Sequence, residues 1–102
     1  MSLLAVSVSA CAGASLVVVD GQSVYDRPWK DVQGSLPGRA SFDLDCPKEQ
    51  LELRLLNVAA FYKYPTEVGV TGCGKRATYV RVVGTGVIGP WSLNQLNGVK
   101  PE

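Results

Sequence analysis

From Ala40 onward, apolar and polar side chains alternate with period two. Phe42 and Leu44 interleave with Ser41, Asp43 and Asp45 before Cys46-Pro47 stops the run, as expected of a half-buried strand ended by a residue without a backbone donor. Leu51, Leu53 and Leu55 interleave with Glu52 and Arg54 in the same way. Pro47-Lys48-Glu49-Gln50 ahead of them has the form of a helix start, but the alternation favours a strand. From Thr66 to Val83, two β-rich runs flank Gly72-Cys73-Gly74-Lys75, whose glycines permit the positive φ of a hairpin turn. Asn57 to Pro65 reads as a connection carrying Phe61, Tyr62 and Tyr64. Trp91 and Leu93 add a short strand that caps the sheet, and Asn97-Gly98 turns the chain toward an exposed end. The predicted fold is all-β: an antiparallel meander or sandwich of about four to six strands.

The chain before Ala40 is patterned differently. Gly21, Pro28, Gly34, Pro37 and Gly38 punctuate residues 20–39 with little periodicity, which reads as a linker or long loop. Tyr25 and Trp29 are its only large apolar side chains, placed either to pack on the domain edge or to form a contact surface. No charge occurs from Met1 to Val19. Two readings compete for residues 1–19: a processed signal segment, or strands in which Leu4, Val6, Val8 and Ala10 alternate with small residues before Ser15-Leu16-Val17-Val18-Val19. In the first reading, Val8-Ser9-Ala10-Cys11 has the form of a bacterial lipobox, with Cys11 the lipidated residue. The predicted organisation is therefore 1–19, 20–39 and a β domain over 40–102.

Composition narrows the chemistry. The 102 residues suit one small domain, and a 46% hydrophobic fraction is enough for a modest core. Ten basic residues nearly cancel nine acidic ones without a Lys/Arg run, so a nucleic-acid partner is not expected. With no His in the chain, Ser-His and Cys-His catalysis and imidazole metal sites are excluded. No cofactor or metal site is predicted.

Three cysteines remain. Cys46 ends a predicted strand and Cys73 sits between two glycines at a hairpin tip. In an exported small domain such a pair is most simply a disulfide, while free thiols and an incomplete zinc shell stay open as alternatives.

Two glycine strings imitate nucleotide sites. Gly69 to Lys75 satisfies the first part of a P-loop, but Arg76 stands where Ser or Thr should hold magnesium, and a strand follows where a helix should. Gly84-Thr85-Gly86-Val87-Ile88-Gly89 matches G-x-G-x-x-G, yet Pro90 follows at once. Both read as turns. Asp43 and Asp45, with Glu49 and Glu52 nearby, read as a solvated strand face rather than a hydrolytic or calcium site. Lys75 and Arg76 beside the hairpin tip are the candidate binding residues, suited to an anionic partner.

Phe42-Asp43-Leu44-Asp45-Cys46-Pro47 and Val68-Gly69-Val70-Thr71-Gly72-Cys73-Gly74-Lys75-Arg76-Ala77-Thr78-Tyr79 resemble a small domain of uncharacterised bacterial envelope lipoproteins, which pair a C-P after a strand with a G-C-G-[KR]-R-A-x-Y hairpin. The resemblance covers Ala40 to Val83. At its start the chain departs from the family's pattern, since Met1-Ser2 supplies no basic side chain. The resemblance implies an envelope location, a lipid anchor on Cys11 and a Cys46–Cys73 bridge, and implies no activity. The expected function is a non-enzymatic, exported or membrane-anchored domain that presents its hairpin tip to a protein or small ligand. The alternatives are a thiol-dependent redox or covalent enzyme using Cys73, its pKa lowered by Lys75 and Arg76, and a structural envelope protein that self-associates through strand edges.

Overall fold

The computed structural model describes residues 15–97. The chain opens with a hairpin of β1 (Leu16–Val19) and β2 (Gln22–Tyr25), closed by Asp20 and Gly21 at φ 50° and 82°. Two consecutive positive-φ residues make the turn whose twist matches that of the flanking strands. A helix, α1 (Asp26–Leu44), and a 3-10 turn at Lys48–Gln50 follow. Next come β3 (Glu52–Val58), β4 (Pro65–Gly72) and β5 (Lys75–Val80), then a ribbon of β6 (Val83–Gly84) and β7 (Val87–Ile88), and finally β8 (Ser92–Asn97). The main sheet has the order β3-β4-β5-β8, and every pairing is antiparallel.

The all-β expectation is corrected by α1, a 19-residue helix packed on one face of that sheet. Residues 20–39, read as a linker, are instead a hairpin turn and β2 up to Tyr25 and then this helix, which also takes the run read as a strand as far as Leu44. Trp29, Val32, Leu36, Ala40 and Leu44 are buried at spacings of three and four, which is one helical stripe. Phe42 and Leu44 do not share a face: Leu44 is fully buried and Phe42 is 85% exposed. Interior Pro37, Gly34 and Gly38 disfavour the helix by about 5 kcal/mol in propensity. Burying Trp29, Val32, Leu36 and Leu44 contributes about 6 to 12 kcal/mol. Packing therefore outweighs propensity here. Pro28 falls in the first turn, where a missing N–H is tolerated.

The helix stops at Asp45, which takes the left-handed conformation at φ 53°. Its N–H donates to Phe42 O and the Cys46 N–H donates to Ser41 O, the double bond of a Schellman cap. Lys75 Nζ adds a charged donor to Leu44 O at 2.9 Å. Against the helical stripe lie Leu55 of β3, Val68 and Val70 of β4, and Ala77 and Tyr79 of β5. The opposite sheet face presents exposed Glu52, Arg54, Thr71 and Arg76, the alternation expected of a sheet covered on one side.

The expected hairpin is present: Gly72 pairs with Lys75 around Cys73 and Gly74, at φ 53° and 75°. Leu16–Val19 is also a strand, so these four residues follow the strand reading; the lipobox reading at Cys11 lies outside the described residues. No helix among the described residues is long and apolar enough to cross a membrane.

Candidate functional site

Cys46 and Cys73 form a disulfide, with Cα atoms 5.9 Å apart. It joins the residue just after the α1 cap to the tip of the β4–β5 hairpin. Gly72 makes that approach possible: a Cβ there would meet Leu51 Cδ2 at 2.6 Å, Gln50 O at 2.9 Å and Cys46 Sγ at 3.1 Å. Cys46 is buried and Cys73 is exposed. Cys73 Sγ lies 3.3 Å from Gln50 Oε1; a bridged sulfur has no proton to donate, so this is a contact.

Lys75 and Arg76 line the same depression at the hairpin tip, but their side chains diverge. Successive strand residues point to opposite faces, so Lys75 turns to the helix end and Arg76 to the open face. With Lys75, Gln50, Glu52 and Thr71, Arg76 lines an open depression of about 560 Å³. Glu52 there offsets its charge. Asp43 and Asp45 are likewise separated: Asp45 caps the helix, and Asp43 accepts a hydrogen bond from the Tyr79 hydroxyl. No group of three or more metal-ligating side chains occurs among the described residues.

A more developed site lies at the other end of the sheet, between the start of α1 and the β6–β7 ribbon. One cleft of about 350 Å³ is lined by Tyr25, Arg27, Asp31, Tyr64, Arg81 and Ile88. A second, of about 410 Å³, is lined by Tyr62, Tyr64, Val83, Val87 and Ile88 along with Gly84 and Gly86. Tyr64 and Ile88 belong to both, so the two clefts form one groove with a charged lobe and an apolar lobe. Val87 and Ile88 in its lining are exposed, and Phe61 and Val82, each next in sequence to a lining residue, are exposed at 86% and 74%.

Backbone bonds hold the walls. Ala59 N–H donates to Tyr64 O, and Lys63 N–H to Ala59 O, closing the loop that bears Phe61, Tyr62 and Tyr64. Tyr25 N–H donates to Lys63 O, and the Tyr25 and Tyr64 rings meet edge to face at 6.4 Å. The Tyr62 hydroxyl and Thr85 Oγ1 are 2.8 Å apart, linking that loop to the ribbon's turn. Arg81 is fixed by Nε donating to Pro65 O at 2.8 Å and by the Trp91 ring, 4.5 Å below its guanidinium. Burial lowers the pKa of Arg81 from the usual guanidinium value, against the opposing influence of Tyr64 and Asp31. An aromatic groove with a few convergent polar groups is the usual form of a ligand site.

Of this groove, Tyr25 was visible in the sequence as a contact or packing residue, and Trp29 proves to be core. Phe61, Tyr62 and Tyr64 were visible as aromatic residues of a connection. Arg27, Arg81 and Ile88 carried no signal, because the groove joins three segments that only the fold brings together. The density of aromatic residues at 61–64 was the one available hint. No family model, no curated protein and no solved structure matches the chain.

Proposed function

We propose that this chain is a non-enzymatic, disulfide-stapled binding domain, exported to the cell envelope or secreted, that takes a partner in the groove between α1 and the β6–β7 ribbon. The observation carrying this reading is the groove itself: half-buried tyrosines and exposed aliphatics beside a fixed, half-buried arginine. The hairpin tip serves less well as the binding surface. Its cysteine is bridged and Lys75 is engaged at the helix end. The Cys46–Cys73 bridge supports an extracytoplasmic location, since oxidising compartments are where structural disulfides persist. Lipid anchorage through Cys11 is the accompanying proposal, resting on the lipobox pattern and the envelope-lipoprotein resemblance.

A photo-crosslinking side chain placed at Ile88, and separately at Arg76, tests the reading in a bacterium that exports the protein. A discrete adduct from position 88 and none from 76 is the expected result. Adducts from 76 alone would return the binding role to the hairpin tip. A competing reading, thiol chemistry at Cys73, is favoured by the exposure of that residue at the turn. It requires the bridge to open under mild reductant while the fold persists, a condition the stability measurement described below decides.

A further inference from the structure

The division of the groove into two lobes specifies the chemistry of what it would hold; this inference rests on the groove being the binding surface. Arg81 is its fixed point. Nε, the Trp91 ring and the backbone N–H, which donates to Thr66 O at 3.0 Å, hold the residue in place. Among the described residues Arg81 forms no ion pair, and Asp31, in the same lobe, is not bridged to it. A half-buried guanidinium that no carboxylate bridges directly is relieved further by an anion. Arg27 contributes a second cation to this lobe, which Tyr25 and Tyr64 also line.

The apolar lobe begins at the wall that Tyr64 and Ile88 share with the charged one. An occupant of both must carry its anion directly beside an apolar group. The last residue of a peptide does so, because its carboxylate and side chain are borne on one Cα. The groove is also open and bordered by a ribbon whose strands are only two residues long. An open groove leaves an acyl chain exposed to water along much of its length, whereas the last residue of a peptide places one side chain in the apolar lobe and keeps its polar backbone at the surface. Asp31 likewise suits a ligand that has N–H groups.

We infer that the groove binds the free C-terminus of a peptide ending in an apolar residue, with the carboxylate on Arg81 and Arg27 and the last side chain against Tyr64, Val87 and Ile88. The test is fluorescence anisotropy of the disulfide-bonded protein with N-terminally labelled hexapeptides that end in leucine, valine or phenylalanine, each made as the free acid and as the C-terminal amide. The acids should bind at least about tenfold more tightly than the amides, the value expected for a charge-assisted contact. Ile88→Glu and Arg27→Gln, both at the surface, should weaken the acids. The acid-to-amide comparison uses the unaltered protein, so folding of a variant does not affect it. Equal binding of acids and amides overturns the inference while leaving the groove as a peptide site. Binding of oleate with no peptide bound overturns it in favour of an acyl ligand. Binding of no probe overturns it as well, and crosslinking at position 88 then decides separately whether the groove is used.

Discussion

The Tyr79 hydroxyl donates to Asp43 Oδ2 at 2.6 Å, joining the C-terminal end of β5 to the last turn of α1. Asp43 also pairs with Arg39 at 3.6 Å, and the Arg39 guanidinium lies 5.2 Å from the centre of the Tyr79 ring. Arg39 Nη1 then reaches Trp91 O, so helix, central strand and the approach to β8 meet in one polar seam above the core. Burial, followed by the hydrogen bond to Asp43, raises the phenol far above its usual pKa.

A raised phenol favours the protonated, folded form. Its contribution is fully present below the unfolded value of about 10 and is lost as pH climbs from there through the folded value. Tyr79→Phe should lower stability by about 1 to 2 kcal/mol at neutral pH and flatten part of the alkaline decline. Urea unfolding from neutral pH to about pH 11 measures both. Parallel declines in the two proteins would remove Tyr79 from the explanation.

Two glycine substitutions should have opposite signs. Gly72→Ala drives a methyl group into Leu51, Gln50 O and Cys46 Sγ and should destabilise by about 1 to 3 kcal/mol. Gly38→Ala, inside α1 with nothing within 4 Å of the added carbon, should stabilise by about 0.5 to 1 kcal/mol. Urea midpoints of the two variants check the pair: an unchanged or stabilised Gly72→Ala contradicts the packing described there, and a destabilised Gly38→Ala contradicts the open space at that position.

Asp20 Oδ2 accepts from Leu55 N–H at 2.8 Å, and Gln22 Nε2 donates to Leu55 O at 3.3 Å, so the first hairpin occupies part of the outer edge of β3. Asp20→Ala leaves that N–H without its acceptor and should destabilise by about 1 to 2 kcal/mol. It also frees a strand edge, so sedimentation should show more association than in the parent at equal concentration. Unchanged stability would mean that water replaces the carboxylate without loss.

Reduction should lower stability by about 3.5 kcal/mol, the loop-entropy value for cysteines 27 positions apart. Chemical unfolding of oxidised and reduced protein gives the difference, and rapid alkylation by iodoacetamide should require reductant and track loss of structure at Cys46. A fold that keeps its stability after reduction would instead favour thiol chemistry at Cys73.

What the sequence disclosed follows from how local each signal is. The β4–β5 hairpin was legible because Gly72, Gly74 and the flanking β-branched residues all act within a few positions. The bridge was legible because Cys46 before Pro47 and Cys73 between two glycines stand apart from Cys11 in their local context, each at a break in the chain. α1 was hidden, since Gly34, Pro37 and Gly38 are local breakers, and the stripe from Trp29 to Leu44 outweighs them only once a sheet lies beneath it. Asp20-Gly21, a strong hairpin pair, was masked by the same reading of a linker. The groove depends on Tyr25, Tyr64 and Arg81 converging from distant segments, which no spacing in the chain records.

The bridge also determines how this domain would bear load. Tension entering through α1 passes from Cys46 across the sulfur bond to Cys73 and into β5, bypassing β3 and β4 altogether. About 90 Å of chain is thereby withheld from extension, at roughly 3.3 to 3.6 Å for each of the 27 intervening steps. A domain tethered at one end and grasped at the other would stretch in two short stages, and reduction would lengthen its reach by that amount.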